Sequence, residues 1–177
     1  MKYLLDFDHT MFDTSAFVAD ARSRGLDDVL VTPRIWDELS VKDYIYRDTM
    51  DWLALQQKEN VSIVSAYTPS LGPEAEAMQR GKFAQGDFED LVDEIVVMEG
   101  DKAPYVCPYT NQGTVIFIDD RLDHLESVKN LCPKVICIQM WRGDDAHESV
   151  AGKSQRDDIP VAKDFTEVDA LVAAHTA

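Results

Sequence analysis

Short apolar runs alternate with amphipathic stretches along this chain. Five runs have strand length: Lys2 to Phe7, Val61 to Ser65, Glu94 to Met98, Val115 to Asp119 and Val135 to Met140. Most are rich in Val and Ile, and several show no polar alternation, the pattern of strands buried on both faces. Helical periodicity fills the intervals. Tyr46, Met50, Leu53 and Leu55 recur at helix-like spacing within Tyr44 to Asn60. Pro73 to Gln85 is built of good helix formers with proline near its start. Leu122, Leu125, Val128 and Leu131 form one stripe. Thr166 to His175 opens on a capping-box-like pair, Thr166 and Asp169. Strands alternating with helices predict an α/β fold around a central parallel sheet.

One interval is too long for a single crossover helix. Thr14 to Arg47 holds a helix pattern over Ala16 to Arg24, a break at Gly25, then Val31, Pro33, Ile35 and Trp36. It predicts a small, mostly helical cap, so the chain reads as one domain over 1–177 with an insertion at 14–47. Trp36, Tyr44, Tyr46 and Arg47 are candidates for leaving-group contacts, although aromatics there more often form the cap's own core. The polar stretch Gly143 to Asp158 predicts a mobile surface loop.

Composition narrows the function. With 177 residues and 45% hydrophobic content, one core can form. A formal net charge of −16 disfavours nucleic acid and anionic membranes as partners, since both are held by lysine and arginine. No apolar stretch nears the roughly 20 residues of a membrane helix. The acidic N-terminus does not read as a signal peptide. Of three cysteines, Cys107, Cys132 and Cys137, the last two flank or sit in an apolar run and are expected to be buried free thiols, in a soluble, cytoplasmic protein. No pattern specifies an oligomeric state.

In parallel sheets, ligands bind beyond the carboxyl ends of the strands, and there this sequence is loaded with reactive groups. Asp6 and Asp8 follow the first run, two residues apart and thus on one side of extended chain. One carboxylate can attack phosphorus while the other protonates the leaving oxygen. The bland alternative is an acidic strand end. Asp119 and Asp120 end the fourth run. Adjacent buried carboxylates repel unless a cation joins them, and magnesium suits oxygen ligands of this kind. Helix capping explains one aspartate of the pair but not both. Ser65 ends the second run, where its hydroxyl can bond a phosphoryl oxygen; alone it is a weak signal. Lys102, in a turn after the third run, can neutralise phosphate charge. Lys82 is a rival, but it sits mid-segment.

In this order the four signals resemble the haloacid dehalogenase-like (HAD) hydrolase superfamily over roughly Met1 to Met140. Asp6, Asp8 and Thr10 match its DxDx[TV] motif, Ser65 its second motif, Lys102 its third, and Asp119 with Asp120 its acidic fourth. The resemblance implies a three-layer Rossmann-like fold, with magnesium held by Asp6, the Asp8 carbonyl and the acidic pair, Asp120 being favoured as the direct ligand. It makes Asp6 the nucleophile and Asp8 the general acid/base. Thr10 would brace the loop, and Ser65 and Lys102 would hold the phosphoryl group. Members that cleave carbon–halogen bonds generally lack the second aspartate, so this chain looks like a phosphatase of a small phosphorylated metabolite. A non-catalytic HAD-fold binding protein stays open, as does a phosphatase of nucleic-acid or protein phosphate, since Ile118 to Arg121 has some likeness to polynucleotide 3′-phosphatases. A phospho-acceptor receiver domain would place its acidic pair first, the reverse of the order here. His9 reads as structural or exposed, His124 as part of its helix, and Arg121 as an ion-pair partner for the acidic pair.

Overall fold

A computed structural model describes residues 1–143 and 156–176. The first apolar run becomes β1 (Lys2–Leu5), the middle of a six-stranded sheet with β2 (Val61–Tyr67), β3 (Glu94–Glu99), β4 (Val115–Asp119), β5 (Ile136–Met140) and β6 (Val161–Ala162). The strand order is β3-β2-β1-β4-β5-β6, and every pairing is parallel. This is the parallel α/β sheet the pattern predicts, in the three-layer Rossmann-like fold the resemblance implies. The two-residue β6 was not foreseen, being too short to show a period. The predicted loop at Gly143 to Asp158 falls mostly outside the described residues.

Alternate side chains feed the two faces. Tyr3, Leu5, Ile63, Ile116 and Ile118 join one core cluster, which α1 (Thr14–Ser23), α2 (Arg47–Leu53), α3 (Ala75–Gln85) and the C-terminal helix α6 (Phe165–Thr176) help to close. Leu4, Val64, Val115 and Phe117 join the other, covered by the short α4 (Ala103–Val106) and by α5 (Leu122–Leu131). α5 has the bounds its stripe predicts. The α6 cap lies two residues earlier than expected: Asp164 Oδ1 accepts from Glu167 N at 2.8 Å while Glu167 Oε2 accepts from Lys163 N at 2.8 Å. Asp169 instead accepts from Trp52 Nε1, tying α6 to α2.

The 14–47 segment contains α1 and two 3₁₀ turns, Pro33–Asp37 and Val41–Tyr44. It packs into the first core rather than forming one of its own. Phe17 stacks on Trp36, and Phe12, Phe17 and Tyr44 meet edge-on or tilted. Trp36 reaches α3, donating from Nε1 to the Met78 carbonyl at 3.1 Å.

The expectation of a buried free thiol holds for Cys137 and fails for Cys132. Cys107 and Cys132 form a disulfide, with Cα atoms 5.7 Å apart. The reason is tertiary: α4 packs on α5, so the residue closing the first helix lies beside the one closing the second. Among the described residues, no helix is long and apolar enough to cross a membrane.

Candidate active site

The order of strand addition reverses beside the central strand: β2 and β3 lie on one side of β1, and β4, β5 and β6 on the other. Crossovers diverge at such a point and leave a crevice at the carboxyl edge. The register then decides what lines it. Leu5 pairs with Ile118, and Asp6 N donates to the Ile118 carbonyl at 2.8 Å. Asp6, just past the end of β1, therefore stands beside Asp119, the last residue of β4. Leu5 also pairs with Ile63, which brings Ser65 to the same edge from β2.

Asp6, Asp119 and Asp120 are buried, and each offers a carboxylate oxygen within 4.8 Å of the others. Lys102, entirely buried, reaches them from the turn after β3. Its ammonium donates to Asp6 Oδ1 at 2.5 Å and to Asp119 Oδ2 at 2.7 Å. Asp119 has further partners. His124 Nδ1 lies 3.2 Å from Oδ2, and Arg121 N donates to Oδ1 at 2.9 Å. Asp119 thus holds the residue that precedes α5, while among the described residues neither acid makes a side-chain capping bond to the helix itself. Gln139, opposite Asp119 on β5, donates through Nε2 to the Asp120 carbonyl at 2.9 Å.

The protonation tendencies separate these acids. Lys102 and His124 hold Asp119 down at about 2, despite burial. Burial pushes Asp6 up to about 6, helped by Asp119 and Asp8 and opposed by Lys102. Asp120 is driven well above the ordinary carboxylate range by burial and by the Asp6 and Asp119 charges. Three carboxylates and one ammonium leave a formal charge of about −2 when all are ionised. A compact, buried, oxygen-only donor set with that excess fits a divalent cation.

Asp8 does not share this cluster. β1 ends at Leu5, and the amides of Thr10, Met11 and Phe12 all turn back onto the Phe7 carbonyl, with His9 in a left-handed conformation at φ 59°. The turn faces Asp8 towards α3. Oδ1 accepts from Thr14 Oγ1 at 2.7 Å and from Lys82 Nζ at 2.5 Å; Oδ2 accepts from Gln79 Nε2 at 2.6 Å. These partners pull the Asp8 carboxyl below its ordinary range although burial opposes them. The same Gln79 amide donates to Ser65 Oγ at 2.7 Å, linking the second-motif hydroxyl to Asp8. Thr10 is buried, its hydroxyl without a partner among the described residues. Its carbonyl accepts from Arg142 Nη2 at 2.7 Å and from Nε at 3.1 Å.

Asp6, Lys102, Asp119 and Asp120 thus form one group at this strand edge and Asp8 with Ser65 an adjoining one, while Thr10 bonds to neither. Lys82 was set aside for lying mid-segment, yet helical spacing delivers it to Asp8. Gln79, three residues earlier on the same helix face, was missed, and so was Thr14. The i, i+3 spacing of Gln79 and Lys82 is the one signal that could have paired them. His124 is a contact of Asp119 and not merely a helix residue. Arg121 pairs through its guanidinium with Asp123 rather than with the acidic pair. Arg47 is exposed, with Asp51 as its ion-pair partner, and Tyr46 lies under the Arg142 guanidinium, 4.2 Å from it. A cavity of about 500 Å³ opens beside the cluster, lined by Tyr67, Thr68, Asp101, Arg121, His124 and Ser127 among others.

No protein-family model matches this chain, and no curated protein matches it. Its fold does have solved counterparts. A haloacid dehalogenase-like family hydrolase from Xanthomonas campestris aligns with a TM-score of 0.64 at 12% identity, over 98% of this chain and 95% of that one. L-2-haloacid dehalogenase from Xanthobacter autotrophicus aligns at 0.60 and 15% identity over 98% of each. YfnB of Bacillus subtilis, assigned as a HAD-hydrolase and solved bound to magnesium, aligns at 0.61 and 13% identity over 97% of each. The fold is that of the haloacid dehalogenase-like hydrolases.

Proposed function

We propose that this protein is a phosphohydrolase that cleaves small phosphomonoesters through an aspartyl-phosphate on Asp6. The observation that carries the reading is the pairing of two carboxylates in separate settings at one strand edge. Asp6 lies among Lys102, Asp119 and Asp120, and Asp8 lies outside that cluster but is linked to Ser65 through Gln79.

Asp6 attacks phosphorus, the bond from phosphorus to the leaving oxygen breaks, and Asp8, once it has taken up a proton against the pull of Lys82 and Gln79, supplies the one that oxygen needs. Water then attacks the phosphoryl group, giving its proton back to Asp8 as the bond to Asp6 breaks and the carboxylate is regenerated. Lys102 and Ser65 hold the phosphoryl oxygens, Lys102 offsetting their charge. Thr10 braces the loop that carries Asp8. Asp6, Asp120 and the Asp8 carbonyl would hold magnesium, with Asp119 locked behind them by Lys102, His124 and the Arg121 amide. When bound, magnesium screens the acidic site from the incoming phosphate and polarises it.

Dehalogenation is the rival reaction on this fold. It needs an aspartate nucleophile but no proton donor for a departing halide, so the presence of a second carboxylate, Asp8, two residues beyond Asp6 favours ester cleavage. The net charge of −16 disfavours polyanionic substrates. The test is phosphate release from p-nitrophenyl phosphate and a panel of phosphometabolites, with Mg²⁺ and with EDTA, for wild type beside Asp6→Asn. Metal-dependent turnover that the substitution abolishes is expected. Equal turnover by Asp6→Asn would refute the assignment, and activity on 2-haloacids instead of phosphate esters would replace it.

A further inference from the structure

Helix α3 presents to Asp8 two side chains that the phosphohydrolase reading leaves without a task. Gln79 and Lys82 are buried at 5% and 3% exposure, three residues apart and therefore on one helix face. Between them they occupy both Asp8 oxygens, Lys82 on Oδ1 and Gln79 on Oδ2, while Thr14 adds a second donor on Oδ1. The carboxylate is gripped from two sides and cannot rotate about its terminal bond without losing a charged or buried contact. Lys82 approaches over aromatic faces, its Nζ 5.0 Å from the Phe12 ring centroid and 5.9 Å from that of Phe7.

The helix is itself pinned by the inserted segment. Trp36 Nε1 donates to the Met78 carbonyl at 3.1 Å, and Gln85 Nε2 donates to the Trp36 carbonyl at 2.8 Å. A Cβ on Gly81 would lie 2.6 Å from the Trp36 ring, so only glycine lets the indole lie flush on α3 between these two bonds.

We infer that Lys82 and Gln79 are positioning residues for Asp8. They fix its carboxylate next to Ser65, on the path of the departing oxygen, and the Trp36 contact sets the helix that carries them. The catalytic consequence rests on the phosphohydrolase reading; the positioning itself does not.

Two readouts test this. Lys82→Met keeps a stem against the phenyl rings and removes the ammonium, and Gln79→Leu is the milder change should the first variant fold poorly. In crystal structures of the variants, Asp8 is expected to leave its place beside Thr14 and Ser65. A carboxylate unmoved in both variants overturns the inference. The second readout compares kcat/KM, which covers the steps through the first cleavage, for p-nitrophenyl phosphate and for glycerol phosphate. A nitrophenolate departs without a proton, whereas an alkoxide requires one, and positioned proton transfer contributes about 10²–10⁴-fold. Lys82→Met is therefore expected to lose roughly 100-fold on the alkyl ester and under about tenfold on the aryl ester. An equal loss on both esters overturns the inference, because a general defect would act so. Should wild type cleave neither ester, the phosphohydrolase reading fails, while the crystal structures still decide whether these residues hold Asp8.

Discussion

Replacing Lys102 by methionine tests the electrostatic core of the site. The substitution nearly conserves volume but removes the ammonium that bonds Asp6 at 2.5 Å and Asp119 at 2.7 Å. The formal charge of the buried cluster goes from about −2 to about −3. Breaking a buried ion pair from one side costs about 3–5 kcal/mol. In a chain of this length each kcal/mol moves the melting temperature by about 2–4 °C, so a fall of roughly 6–20 °C is expected in EDTA. The pH dependence gives the sign. Without Lys102 the Asp6 and Asp120 carboxyls take up protons at still higher pH than in wild type. The variant's deficit is therefore largest above the Asp6 value of about 6 and shrinks as pH falls towards 5. Urea and thermal unfolding of both proteins at pH 8 and pH 5, in EDTA and then with excess Mg²⁺, measure it. A deficit below about 1 kcal/mol at pH 8, the worth of an exposed pair, would refute the reasoning. So would a deficit that does not diminish at pH 5.

Three further expectations follow from the same geometry. In wild type without metal, Asp6 and Asp120 have raised folded-state values, so they oppose folding once both states are ionised: stability should fall as pH rises from about 4 through 6. The Asp6 shift from 3.8 to about 6 corresponds to on the order of 3 kcal/mol, and a flat stability profile over that window would contradict it. Asp119, held at about 2, contributes the opposite way, its stabilisation being present above pH 4 and lost only as pH falls through about 2. Mg²⁺ at 100 times its Kd should add about 2.7 kcal/mol; Asp120→Asn should remove most of that increment in calorimetry, whereas Asp119→Asn should chiefly lower the metal-free melting temperature. The Cys107–Cys132 disulfide closes a separation of 25 residues, worth about 3 kcal/mol on the chain-entropy account; Cys132→Ser should lower stability by that order, and mass spectrometry without reductant should find the bridge in wild type.

The strands were legible because a buried parallel sheet writes itself as short Val- and Ile-rich runs, and all five predicted runs lie in the sheet. The reactive residues were legible because their strand ends are marked by an abrupt change from apolar to acidic, as in Ile118-Asp119-Asp120. The sixth strand has two residues and no period to detect. Thr166 and Asp169 have the same three-residue spacing as Asp164 and Glu167, but Asp169 is drawn off to Trp52, and the earlier pair bonds the start of α6. The disulfide was invisible because nothing local says that α4 and α5 end side by side.

What the sequence determined by itself was therefore the class of fold and the chemistry at the strand ends, since both follow from local composition and period. Tertiary structure decided which of those groups touch. The Leu5–Ile118 register sets Asp6 beside Asp119, and the packing of α3 under Trp36 delivers Lys82 and Gln79 to Asp8. Those are contacts across 71 to 113 residues of chain, fixed by strand order and helix docking, to which spacing along the sequence is blind.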